Sequence, residues 1–160
     1  MLIKTIPAEE IDQLEQTAYR LWHQSYDDLL PAGQVDYMLH KFQSAPAMLN
    51  QQDEGYIYRG VYDGEELVGY TASLPQEERI FLSKLYLDKA YQGSGWGRKM
   101  IEDVFDLYED MDTMYLTVNK YNPTFVIYRH LGFEVIDSVV TDIGQGFVMD
   151  DYVMQKVLVR

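Results

Sequence analysis

The sequence predicts a mixed α/β (α+β) domain with the element order β-α-α-β-β-β-α-β-α-β-β. Three observations predict it: apolar residues at helical spacing early and mid-chain, two β-rich runs joined through Asp63-Gly64, and a Gly144-Gln145-Gly146 turn between two final strand patterns. The chain has 160 residues, so a single domain over 1–160 is expected, with a core that hides roughly 70% of the unfolded surface without staples.

Met1 to Ile6 reads as a short strand. Pro7 suits a first helical position, and Glu9 and Glu10 follow where the helix dipole favours anions. Ile11, Leu14, Ala18, Leu21 and Trp22 then share a face until Leu30-Pro31-Ala32-Gly33 breaks the pattern. A second helix carries Val35, Met38, Leu39 and Phe42 and ends before Ser44-Ala45-Pro46. Tyr56 to Tyr62 and Leu67 to Ser73 form a hairpin through Asp63-Gly64, and Ile80 to Leu87 is the next strand.

A glycine-rich stretch, Gln92 to Gly97, leads into a helix that turns Ile101, Val104, Phe105, Tyr108 and Met111 inward, with Arg98, Glu102, Asp103, Asp106 and Glu109 outward. Tyr115 to Val118 is a short strand. Asn122-Pro123 starts and Gly132 stops a helix over 123–131, and strands over about 133–141 and 147–158 close the chain.

Composition limits the partners. Hydrophobic residues are 47% and charged residues 24%, both ordinary for a globular chain. Cysteine is absent, which excludes a disulfide scaffold, a thiolate metal site and a cysteine nucleophile, and no metal is expected. No apolar run approaches the ~18 residues of a membrane span, and Met1-Leu2-Ile3-Lys4 lacks a signal peptide's apolar core, so a cytoplasmic location is expected. Thirteen basic against 26 acidic residues give a net charge of −13, which repels nucleic acid and anionic membrane and attracts cations such as a small amine.

The glycines at 93, 95 and 97 leave a turn whose amides can converge at the positive end of the following helix, a site suited to phosphate or pyrophosphate. Nucleotide motifs fail on spacing. A Walker loop needs Gly-Lys-Ser/Thr, but Gly97 is followed by Arg98-Lys99-Met100; a dinucleotide fingerprint from Gly93 needs glycine where Arg98 stands.

Gln92, Gly95 and Gly97 fit Gln-x-x-Gly-x-Gly directly behind a strand ending Leu85-Tyr86-Leu87-Asp88, which resembles the acetyl-CoA pyrophosphate loop of the GNAT acetyltransferase superfamily. Asn119, Asn122, Tyr128, Leu131, Gly132 and Phe133 fall where that family carries its second acetyl-CoA segment. The resemblance implies a mostly antiparallel sheet of about seven strands with a central parallel pair that splays apart, about four helices, and acetyl-CoA as co-substrate. Its specific motifs lie between about 80 and 135. The implied cofactor-binding residues are Tyr86, Leu87, Gln92, Gly93, Ser94, Gly95, Trp96, Gly97, Arg98, Asn119, Asn122, Phe125 and Tyr128.

The implied reaction is direct attack of a small, cationic primary amine on the thioester in a ternary complex. The backbone N–H of Leu87 would face the thioester oxygen, and Tyr128 would be the general acid, since a phenol near its ordinary pKa is protonated at neutral pH. Most of the 14 tyrosines are expected in packing; the place within Asn-Pro…Tyr…Gly-Phe singles out Tyr128. Some members carry a glutamate base where this chain has Phe81; Glu77 and Glu78 fall at the strand's start, so no base is assigned and a water near Ser83 is one route for the proton. Trp22, Tyr26 and Tyr37, with His23 and Leu29 nearby, are candidates for the acceptor site.

Alternatives are a domain that binds acetyl-CoA without turnover, a nucleotide-binding regulatory domain, and an enzyme acting on a protein N-terminus or lysine. Tyr152 to Val159 is apolar enough to pair with a second subunit, making a homodimer a candidate assembly, although Val153, Val157 and Val159 facing one way also suit the chain's own core.

Overall fold

The computed structural model describes residues 1–159 and contains one seven-stranded sheet of order β1-β2-β3-β4-β5-β7-β6. The strands are β1 (Leu2–Thr5), β2 (Ile57–Asp63), β3 (Glu66–Pro75), β4 (Ile80–Leu87), β5 (Thr113–Asn119), β6 (Glu134–Gly144) and β7 (Phe147–Val157). All neighbours are antiparallel except β4 and β5, which are parallel.

The helices α1 (Ile11–Tyr26), α2 (Gln34–Gln43) and α3 (Ala45–Asp53) cover one face, and α4 (Trp96–Leu107) and α5 (Thr124–His130) the other. On the first face the α1 stripe Ile11, Leu14, Ala18, Leu21 and Trp22 packs with Tyr58, Tyr70 and Ala72 of the sheet. On the second, Ile101, Val104 and Phe105 of α4 meet Ile80, Leu82, Met114 and Leu116. A bidentate pair holds α4 against β2: Arg59 donates through Nε and Nη2 to Asp103 at 2.9 and 2.5 Å. No helix among the described residues is long and apolar enough to cross a membrane.

The structure departs from the expected elements at four points. Helix α3 goes beyond the four expected, because Ser44 both ends α2 in an extended conformation and caps α3, its Oγ accepting from the Ala47 N–H at 3.3 Å. Pro46 sits in the first turn of α3, where a missing N–H costs nothing. Helix α4 stops at Leu107; Tyr108 leaves helical geometry and its hydroxyl lies 2.9 Å from Ser73 Oγ. Glu77 and Glu78 are exposed in the turn before β4 rather than at its start. Strand β7 has both edges paired, so the open edges of the sheet belong to β1 and β6.

Candidate active site

The site begins as a main-chain irregularity. β4 and β5 pair only at Ile80–Met114 and Phe81–Tyr115. Immediately afterwards, Leu82 aligns with Ser73 and Lys84 with Ala72 on β3, leaving Ser83 as one extra residue in β4. Such a bulge bends its strand. The parallel neighbours therefore part, opening a cleft of about 140 Å³ between Leu82–Leu87 and Leu116–Val118. Asp88 N–H donates to Val68 O at 2.8 Å, so the N–H of Leu87, one step back along the pleat, faces the cleft.

Gln92, Gly93 and Gly97 close one end of this cleft. Gly93 and Gly95 have φ of +82° and +84°, with nothing within 4 Å of a built Cβ, so glycine is needed there for conformation and not for space. Gln92 Nε2 donates to Leu87 O at 2.9 Å and Ser94 Oγ to Tyr91 O at 2.6 Å. These two polar side chains thus shape the loop, whose residues 92–95 are exposed at the start of α4. Trp96 packs beside Val61, Val68 and Met100 with Lys99 Nζ 4.3 Å above its ring, and Arg98 is exposed in the same turn.

The other end is built by α5. Asn122 Oδ1 accepts from the Thr124 N–H at 2.9 Å, and Gly132 at φ +99° stops the helix, so this short element has a cap at each end. Both Asn122 and Tyr128 line the cleft, while Asn119 Oδ1 accepts from the Tyr121 N–H at 2.9 Å. Tyr128 is buried, edge-on to Phe133 at 5.6 Å. Phe125 packs at a tilt against Tyr152, with ring centroids 5.1 Å apart, and does not line the cleft.

The parting of the strands lets Tyr26 of α1 approach from the opposite face of the sheet. Its hydroxyl lies 2.8 Å from that of Tyr86. Burial is the first cause that pushes all three phenols up: Tyr26 to about 12, Tyr86 and Tyr128 well above the ordinary value. All three stay protonated and can donate at neutral pH.

Beyond these tyrosines lies a second cavity of about 510 Å³, which shares Tyr26, Ser83, Lys84, Tyr86 and Thr117 with the cleft. Trp22 and Phe81 are also in its wall. Trp22 is fixed by a buried polar chain: its Nε1 donates to Tyr70 OH at 2.8 Å, Tyr70 OH donates to Gln43 Oε1 at 2.6 Å, and Gln43 Nε2 donates to Tyr58 OH at 3.1 Å. Tyr37 and His23 sit elsewhere. Tyr37 OH donates to Ile143 O at 2.6 Å, tying α2 to the last hairpin, and His23 bridges Asp27 and Asp36 at 2.6 and 2.9 Å.

Four charged residues in this cavity were not singled out from the sequence: Lys41, Glu54, Lys84 and Asp151. Lys84 Nζ donates to Ser83 Oγ at 2.6 Å, and burial pulls its ammonium down to about 8. Asp151 is only 4% exposed and its Oδ1 has no hydrogen-bond partner in the protein. Burial first, then the neighbouring Asp150, push its carboxyl up to about 6 against the pull of Lys120. A lysine inside an otherwise apolar strand was a usable signal for Lys84; Asp151 has none locally. Among the described residues no cluster of three or more acidic or imidazole side chains is arranged to hold a metal ion.

The family model for an acetyltransferase (GNAT) domain matches residues 18–155. This chain belongs to the GNAT acetyltransferase family. It is similar to a protein named probable spermine N(1)-acetyltransferase from Bacillus subtilis subsp. natto, with 28% identity over 111 residues covering 60% of this chain and 72% of that one.

Among solved GNAT structures, the PaiA N-acetyltransferase of Thermoplasma acidophilum in complex with coenzyme A superposes with a TM-score of 0.81 at 20% identity, covering 98% of this chain and 99% of its own. The aminoglycoside 6'-N-acetyltransferase of Enterococcus faecium gives 0.68 at 15% identity, covering 100% and 98%. At such identities these two report the shared fold.

Proposed function

We propose that this GNAT enzyme transfers the acetyl group of acetyl-CoA to a primary amine of a small, cationic acceptor by direct attack in a ternary complex. The observation that carries the reading is the pairing of two spaces: a narrow cleft from the glycine turn to Tyr128 shares Tyr26, Ser83, Lys84, Tyr86 and Thr117 with a cavity of about 510 Å³. The cofactor's pyrophosphate would lie on the amides of Gly93 to Gly97, and its pantetheine arm between β4 and β5. The Leu87 N–H would hold the thioester oxygen as negative charge develops there; one such donor is worth about 3 kcal/mol in comparable oxyanion holes.

The Tyr128 hydroxyl would protonate the departing sulfur, and its burial keeps that proton in place until it is needed. A cationic acceptor is supported by the net charge of −13. The relative named for spermine points the same way.

Release of coenzyme A with a panel of amines tests this directly. Spermine and spermidine should exceed an amino sugar, an alanine-terminated peptide and a neutral-chain primary amine in kcat/KM. Equal rates across the panel would remove the charge argument, and release with none of them would remove the acceptor class.

A further inference from the structure

We propose that Asp151 is the general base of this enzyme, its carboxylate taking a proton from the acceptor's ammonium inside the 510 Å³ cavity. The inference rests on the acetyl-transfer reading above. A buried aspartate with an unpartnered carboxylate oxygen is costly, and natural proteins seldom leave one without a use. Asp151 lies on β7 opposite Asn119, at the end of β5 where the strands have already parted. It therefore stands on the cavity side of the sheet with Thr117 and Asn119.

Tyr26 connects this carboxylate to the place where the thioester would lie. It is near enough to Asp151 and to Tyr128 to interact electrostatically with each. An amine seated against Tyr26 would have the carboxylate on one side and the acyl group on the other. Phe81, at the position where some relatives place a glutamate, offers no proton acceptor, so the acid comes from a different strand of the same sheet.

The step balances. Asp151 takes one proton from the ammonium, and the freed nitrogen lone pair attacks the acetyl carbon. The new C–N bond forms as the C–S bond breaks. Sulfur leaves with the Tyr128 proton, and the second proton lost by nitrogen restores Tyr128. The products are the amide, the thiol and a neutral Asp151, which then releases its proton to solvent.

Other charges bear on the titration. Asp150 raises the affinity of Asp151 for a proton and Lys120, paired with Asp150 at 3.0 Å, lowers it. Across the cavity stand Lys84 and Tyr86 from β4, Glu54 and Tyr56 from the end of the helical face, and Tyr26 from α1. Lys41 of α2 is engaged at 2.7 Å by the Ile143 carbonyl. Of these, Asp151 is the one pushed up to about 6, so the unaltered enzyme should lose kcat/KM for spermine below about pH 6.

The test compares the full chain with Asp151→Asn and Asp151→Ala, using acetyl-CoA and spermine from pH 5 to 9, with coenzyme A binding by calorimetry as the control for folding. Asp151→Asn should bind coenzyme A normally, lower kcat by about 10²- to 10⁴-fold and lose the acidic limb. Added formate should restore part of the rate of Asp151→Ala, a rescue that a packing role would not give. A limb near pH 6 that persists in Asp151→Asn overturns the assignment, as does a rise in KM with kcat unchanged. So does an unaltered enzyme with no ionisation near pH 6, whatever the variants do. The slow hydrolysis of acetyl-CoA without amine is read in the same way. If spermine is inert but hydrolysis keeps the Asp151-dependent limb, the acceptor reading fails and the base stands.

Discussion

Replacing Gly69 with alanine strikes the cleft through the main chain that frames it. Gly69 lies on β3 opposite Leu87, and a Cβ there would stand 2.8 Å from the Tyr86 carbonyl oxygen, 2.9 Å from Leu87 Cδ1 and 3.4 Å from Leu87 Cα. Ordinary contact begins at 3.4 Å, so the end of β4 must retreat by about 0.6 Å. The obstacle is backbone, which cannot rotate aside as a side chain can. Overpacking of this kind costs ~1–3 kcal/mol. For a chain of this length each kcal/mol lowers Tm by about 2–4 °C, so a fall of ~2–12 °C is expected.

The same retreat moves the Leu87 N–H, and a displacement near an ångström at a reacting centre costs up to about 10²-fold in rate. Thermal melting and a coenzyme A release assay read the two effects separately. A variant that melts with the parent and turns over at the parental rate would refute the packing argument. One that melts early with kcat intact would take Leu87 out of the oxyanion role.

Three further outcomes are expected. Gly95→Glu places a carboxylate and a disfavoured φ at the glycine turn and should abolish coenzyme A binding in calorimetry, whereas Gly95→Ala, strained but uncharged, should retain measurable affinity. Tyr128→Phe should lower kcat by about 10²-fold while coenzyme A affinity stays within a few-fold, and an unchanged rate would remove the acid role. For His23, burial pulls the imidazole down but the hydrogen bonds and charges of Asp27 and Asp36 outweigh it, so its folded pKa lies above the ordinary 6.5. Its contribution is therefore full below pH 6.5 and fades as pH rises through the folded value. The Tm advantage of the parent over His23→Gln should be larger at pH 5.5 than at pH 8.5; a constant difference would show that the bridge between α1 and α2 carries no charge-dependent stability.

Local signals reached far into this fold and stopped at contacts between distant strands. Asp63-Gly64, Asn122-Pro123 and Gly132 are short-range devices, and the structure uses each where the sequence places it. Ser44-Ala45-Pro46 misled because the same three residues that end one helix can cap the next. Tyr108 continued the apolar stripe of α4 by spacing, yet its hydroxyl is held by Ser73 on β3, which no window of sequence around it contains. The candidate site divides likewise. The glycine turn and Tyr128 announce themselves by motif, whereas the buried place of Asp151 in the cavity wall arises only when β7 pairs with β5 and β6, and the sequence shows merely two adjacent acids in a strand.

The extra residue at Ser83 has a consequence for how such a molecule can change. A gap created by backbone register does not depend on which side chains border it, so the lining of the larger cavity is open to wholesale substitution while the cleft between the strands persists. Deleting that single residue, by contrast, would let two neighbouring chains zip together and seal the slot with every side chain still present.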